Sequence, residues 1–216
     1  MYIIFPIDDS TNFLQVIADT LIDKFGAADI HVIRVDHSDE GYSESLKEIE
    51  NIASDETILF MGHGQENCLY GGESKTFDKK PLIKNREIEI FAGKNVFLLA
   101  CDSNAYLRST FKFSKVTASI GFGGLPTDIG EVKKRLLEQG VNDAVIERFK
   151  LAITQLVVDG FSYILENNLP FHKLSDYFML YLNKMISNVV LAGKEDFENR
   201  ALADLLFKMK SEMVFI

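Results

Sequence analysis

Five short apolar runs, each separated from the next by helical or turn-rich sequence, constrain the fold of this chain more than any other feature. They read Tyr2–Ile7, Ile30–Val35, Thr57–Met61, Asn95–Ala100 and Val116–Phe122. All have strand length. The third and fourth are continuously apolar, as strands must be when helices cover both faces of a parallel sheet. Between the first two, Phe13, Leu14, Ile17, Leu21, Ile22 and Phe25 recur at helical spacing until Gly26 stops the helix. A more polar helix carrying Leu46, Ile49 and Ile52 on one side precedes the third run. Between the third and fourth, Gly71-Gly72 flanked by Leu69-Tyr70 and Thr76-Phe77 predicts a short hairpin. Pro81 and a short helix over about Ile83 to Phe91 follow. A crossover of this length returns the fourth strand parallel to the third with the usual right hand.

The last strand ends in Gly123-Gly124-Leu125-Pro126, after which the pattern turns helical. Amphipathic stretches cover about Asp143 to Glu166, Phe171 to Asn188 and Glu195 to Lys210. These features predict an α/β fold with a mostly parallel sheet of at least five strands and a helical C-terminal part. The 216 residues are expected to form one domain, with residues 1–125 making the sheet and residues 126–216 mainly helices. The four prolines and fourteen glycines fall at joints and form no long linker.

A formal charge of -9 argues against sequence-independent binding to nucleic acid or acidic lipid, which needs a basic face. No apolar stretch approaches the ~20 residues that span a bilayer. The start, Met1-Tyr2-Ile3-Ile4-Phe5-Pro6, lacks the basic residues and small-residue cleavage site of a signal peptide. Two cysteines, Cys68 and Cys101, exclude a disulfide framework and a paired-cysteine zinc motif. The expectation is a cytoplasmic protein with reduced thiols.

Two of the apolar runs end on reactive side chains. Thr57–Met61 leads into Gly62-His63-Gly64, and Asn95–Ala100 into Cys101-Asp102-Ser103. Parallel sheets place their chemistry beyond the carboxyl ends of the strands. Neighbouring strands lie about 4.8 Å apart, so adjacency would bring imidazole and thiol over one patch. A histidine can take the thiol proton, and the thiolate is the nucleophile. A turn of helix over Asn104 to Ser109 would add N–H groups and positive potential beside Cys101. The N–H groups of Gly64 and Cys101 are the candidate oxyanion donors. Gly62, which lets backbone approach a substrate, and Asp102 and Ser103 are candidates for shaping the substrate pocket.

The strings Phe60-Met61-Gly62-His63-Gly64 and Leu98-Leu99-Ala100-Cys101-Asp102-Ser103 resemble those of the caspase-like (clan CD) cysteine peptidases. Within that clan the chain is most similar to bacterial CHAT-type and gasdermin-associated caspase-like proteases. The likeness covers most of the chain as an order of elements and is specific only in the two strings. It implies a cysteine endopeptidase with a His63–Cys101 dyad, Gly64 and Cys101 as oxyanion donors, and no metal or other cofactor. It also implies a protein or peptide substrate, a possible regulatory protein partner, and a setting in bacterial defence or cell death. Where the family often has a glycine, as in Cys-x-Ser-Gly, this chain has Asn104.

Other readings stand beside this one. A catalytically silent caspase-like interaction module is the first alternative, although this chain keeps both dyad residues. A flavodoxin-like ligand-binding protein using Gly121–Gly124 is the second, although that cluster lacks a full phosphate-binding fingerprint. Cys68 reads as a bystander thiol in a surface hairpin. Structural or surface roles fit His31, His37 and His172, and the lysine-rich segment Lys75 to Arg86 is either a processing site or a solvated loop.

Overall fold

A computed structural model of the protein describes residues 1–134, 140–193 and 196–216. They divide into two compact units, residues 1–123 with 214–216, and residues 124–213. The change from sheet to helices falls two residues before the expected one. The last three residues return to the first unit.

The first unit is an α/β sheet of six strands. In chain order it contains β1 (Tyr2–Pro6), α1 (Gln15–Phe25), β2 (His31–Val35), α2 (Asp39–Glu50) and β3 (Thr57–Met61). There follow β4 (Gly64–Gln65), β5 (Cys68–Tyr70), β6 (Pro81–Lys84), β7 (Asn95–Leu99), α3 (Ser103–Ser114) and β8 (Ala118–Gly121). The strand order is β2-β1-β3-β7-β8, all parallel, with the C-terminal β9 (Val214–Phe215) antiparallel on the β8 edge. Chain order reverses between β1 and β3, the crevice at which open α/β sheets place their ligands.

The apolar runs occupy the centre of this sheet for the predicted reason. Ile58, Leu59, Phe60, Val96, Phe97 and Leu98 are all fully buried, so residues of both parities along each strand meet covered faces. One face carries Ile4, Phe60 and Leu98 against Tyr42 and Ile49 of α2 and Tyr106 and Leu107 of α3. Helix α2 begins as capping chemistry dictates: the Ser38 hydroxyl accepts the Gly41 N–H at 2.9 Å, with Asp39 and Glu40 in the first turn.

The connection between β3 and β7 departs from expectation. A tight hairpin turns at Glu66-Asn67, the double glycine opens a longer antiparallel connection over residues 71–80 from β5 to β6, and β4, β5 and β6 form a separate three-stranded sheet. Cys68 is therefore a buried strand residue, 3% exposed, rather than part of a surface hairpin. Ile83 lies in β6, and the short helix is a 3₁₀ segment over Asn85–Phe91. The double glycine serves close approach. A Cβ on Gly71 would stand 2.2 Å from the Tyr42 ring, and one on Gly72 would stand 2.7 Å from the Val35 carbonyl oxygen.

The second unit holds α4 (Ile129–Lys134), α5 (Asp143–Glu166), α6 (His172–Ala192) and α7 (Phe197–Glu212). Helix α4 falls where the pattern turns helical after Pro126, and the predicted start of the last helix, Glu195, lies outside the described residues. Helices α5, α6 and α7 pack on one another through buried Val157, Phe161, Phe178, Leu182, Leu206 and Met209. Gly160 admits Phe178, whose ring would lie 2.5 Å from a Cβ there. No helix among the described residues is long and apolar enough to cross a membrane.

Candidate active site

Strands β3 and β7 are parallel neighbours, in a register that pairs Met61 with Leu99. His63 and Cys101 each follow their paired residue by two positions, so both lie just beyond the carboxyl edge on adjacent strands. The Gly62 N–H extends the ladder by donating to the Leu99 carbonyl at 3.2 Å. Beyond it, a Cβ on Gly64 would stand 2.6 Å from the Cys101 carbonyl oxygen and 3.0 Å from the Ala100 Cβ. Only glycine lets the histidine segment and the cysteine turn lie this close. The His63 ring and Cys101 are both half-buried.

Residues after β1 complete the arrangement. Asp8 is buried, and its Oδ2 lies 3.2 Å from His63 Nε2. The Ser10 hydroxyl lies 2.7 Å from the same nitrogen and donates to Asp8 Oδ1 at 2.7 Å, where the Ser10 N–H also donates. Since the single hydroxyl proton of Ser10 goes to the carboxylate, Ser10 Oγ accepts from the ring, and Nε2 is the protonated nitrogen. That tautomer leaves Nδ1 as the basic atom. Burial acts to raise the Asp8 pKa, but the two Ser10 hydrogen bonds, with smaller help from His63 and Lys79, hold it below the ordinary 3.8. The stability this carboxylate lends is thus present above about pH 3.8 and is lost as pH falls through its own lower value. By local pattern alone Asp8-Asp9-Ser10 reads as turn and cap residues. The missing signal was that β1 lies next to β3, which placed an acidic strand end beside the histidine.

Cys101 sits in the turn between β7 and α3. Asp102 takes the left-handed conformation there, at φ 55° and ψ 16°, which aspartate tolerates better than most residues. The N–H groups at the start of α3 are occupied: Asp102 donates to Gly123 O and Asn104 to Phe122 O, both at 2.9 Å. They are not available to an oxyanion, for which Gly64 and Cys101 are the candidate donors. Tyr70 N–H donates to the His63 carbonyl at 3.1 Å, which makes His63–Tyr70 a hydrogen-bonded pair. Alternation in an antiparallel ladder then turns the Gly64 N–H away from β5.

Two expected pocket residues have other duties. Ser103 is fully buried, with Oγ 2.8 Å from Ala100 O, 3.0 Å from Leu98 O and 2.9 Å from the Phe122 N–H that it accepts. It ties the cysteine turn to the end of β8 and offers no surface to a substrate. Gly62 is buried against Pro6, with its N–H spent in the ladder. Asp102 is half-buried at the turn. Gly121 to Gly123 form no phosphate cradle either. A Cβ on Gly121 would stand 2.9 Å from Ser103 backbone atoms, and the loop carbonyls accept from the start of α3. His31, His37 and His172 are exposed.

The two thiols differ in setting. Burial pushes the Cys68 thiol pKa up, whereas Cys101 is half-exposed at a strand end. Iodoacetamide near neutral pH should therefore label Cys101 about tenfold or more faster than Cys68. His63→Ala should slow only the Cys101 reaction. Peptide mass spectrometry reads both, and equal labelling of the two thiols would show that residue 101 is not activated.

No family model matches this chain, and no curated protein matches it.

Proposed function

We propose that the protein is a cytoplasmic cysteine endopeptidase in which Cys101 attacks and His63 moves the proton. The reading is supported most directly by the convergence of β1, β3 and β7, which sets Asp8, His63 and Cys101 on three successive strand ends. Nδ1 of His63 takes the Cys101 proton while Asp8 and Ser10 hold Nε2. The thiolate adds to the scissile carbonyl, and the Gly64 and Cys101 N–H groups receive the developing oxyanion. The imidazolium then protonates the leaving amine, and a water activated by His63 hydrolyses the acyl-enzyme. Asp8 acts as a positioning residue that fixes the ring and favours its charged form. The resemblance to caspase-like peptidases carries the proposal of a protein partner as substrate and of a role in bacterial defence or cell death.

Digestion of a mixed peptide library by the full chain tests this reading. Cleavage at defined bonds that disappears in Cys101→Ala supports it, and an inert wild-type chain favours the silent interaction module. Asp8→Asn keeps the size of the side chain but loses its charge, while Ser10 still accepts from Nε2. Turnover should therefore fall by roughly tenfold, as the imidazolium loses the carboxylate 3.2 Å from Nε2. The alkaline limb of kcat should keep its shape, and the acid limb should move to lower pH as His63 loses its anionic partner. An unshifted profile would remove Asp8 from the mechanism.

A further inference from the structure

Beside the His63 ring, on the side of Nε2, three chain segments bring together metal-ligating groups. One ligand atom each from Asp8, His63 and Glu73 lies within 4.8 Å of the other two. Glu73 is placed there by backbone: its N–H donates to Ile7 O at 3.0 Å, and Gly72 is pinned by the Tyr42 hydroxyl at 2.7 Å. A separate observation points to a cation. Asp8 Oδ2, on a side chain only 2% exposed, faces this cluster and receives no hydrogen bond, since the Nε2 proton serves Ser10. A buried anionic oxygen without a donor is costly unless a cation approaches it. Lys79 Nζ, 3.5 Å from Glu73, is the ammonium that serves the cluster now. Two carboxylates against one ammonium leave it negative.

We propose that Asp8, His63 and Glu73 form a binding site for a divalent transition-metal ion of the zinc type. One imidazole and two carboxylates give three protein ligands and an open fourth position, a set that suits zinc, while the imidazole disfavours magnesium and calcium. Zinc bonds of ~2.0–2.2 Å put ligand atoms about 3.4 Å apart in a tetrahedral site. The Asp8–His63 pair is already at 3.2 Å, so closure asks Glu73 to turn inward from Lys79.

Occupancy has a defined consequence for the ring. The metal takes the Nε2 lone pair; the Nε2 proton passes to solvent and solvent returns one to Nδ1, so the ring stays neutral, carries its one proton on Nδ1, and releases no net proton. No redox change is involved. On the peptidase reading proposed above, Nδ1 then has no lone pair with which to accept the Cys101 proton, and the metal is a reversible inhibitor.

Calorimetric titration of the chelator-treated full chain with zinc chloride tests the site. One ion per chain is expected. Glu73→Gln and Asp8→Asn should each weaken it by about tenfold or more, and Cys101→Ala should leave the affinity unchanged. No stoichiometric binding, or binding lost in Cys101→Ala but intact in Glu73→Gln, overturns the proposal, the latter by placing zinc on His63 and Cys101. In peptide cleavage, zinc should inhibit the wild type and a chelator should restore it. Glu73→Gln should match wild-type turnover without metal and need about tenfold more zinc for inhibition. Zinc binding with no cleavage would remove the peptidase reading and leave the metal site standing. Cleavage whose zinc sensitivity ignores Glu73→Gln would do the reverse.

Discussion

Cys101→Ala and His63→Ala should each lower peptide cleavage by at least about a thousandfold, because nucleophile and base act as one unit and removal of either disables both. The effect belongs to chemistry and not to folding. Both side chains are half-buried at a strand end, so truncation forfeits little apolar burial, and melting temperature should stay near the wild-type value. Cys68→Ala is the informative control. It removes the buried thiol of β5 and should keep turnover while costing some stability. Steady-state kinetics beside thermal melts on the three variants read all of this. Wild-type turnover in either dyad variant would end the assignment of roles.

Ser103→Ala should act through the fold instead. Its hydroxyl has one proton to give, to the Ala100 or Leu98 carbonyl, and accepts the Phe122 N–H at 2.9 Å. The site is fully buried, so deletion removes the hydroxyl to which that N–H donates where solvent has no easy access. The cost is about 1–3 kcal/mol, which corresponds to a fall in melting temperature of roughly 2–12 °C for a chain of this length. Loosening the tie between β8 and the cysteine turn should also lower kcat more than it raises KM, since it disturbs the position of Cys101 and touches no substrate. A raised KM with unchanged stability would instead restore Ser103 to the substrate pocket. Thermal melts and steady-state kinetics separate the two outcomes.

What was legible in the amino-acid order was whatever a local pattern can encode. Unbroken apolar runs announced β3 and β7, since strands covered on both faces have no polar side to display. Period and end signals located α5 to the residue, from Asp143 to Glu166. The expected strand through Val116–Phe122 was longer than the observed Ala118–Gly121, because its ends are taken up by the turns that meet β7 and α3. The Gly71-Gly72 pair misled because a glycine pair marks either a tight turn or a place where something else must fit. Here it was Tyr42 and the end of β2 that had to fit.

The order of residues by itself determined that this chain builds a parallel α/β sheet and that a histidine and a cysteine each terminate a central strand. Strand pairing decided the rest. Nothing local in Asp8-Asp9-Ser10 tells that β1 will lie against β3, yet that adjacency lets Asp8 and Ser10 grip the His63 ring. The same holds for Glu73, brought beside Asp8 by a backbone bond to Ile7. It holds too for Ser103, whose hydroxyl accepts from Phe122 at the end of β8, nineteen residues away. Periodicity reports which face of an element is covered, but the identity of the covering partner is a non-local contact, and non-local contacts exist only once the sheet has closed its order.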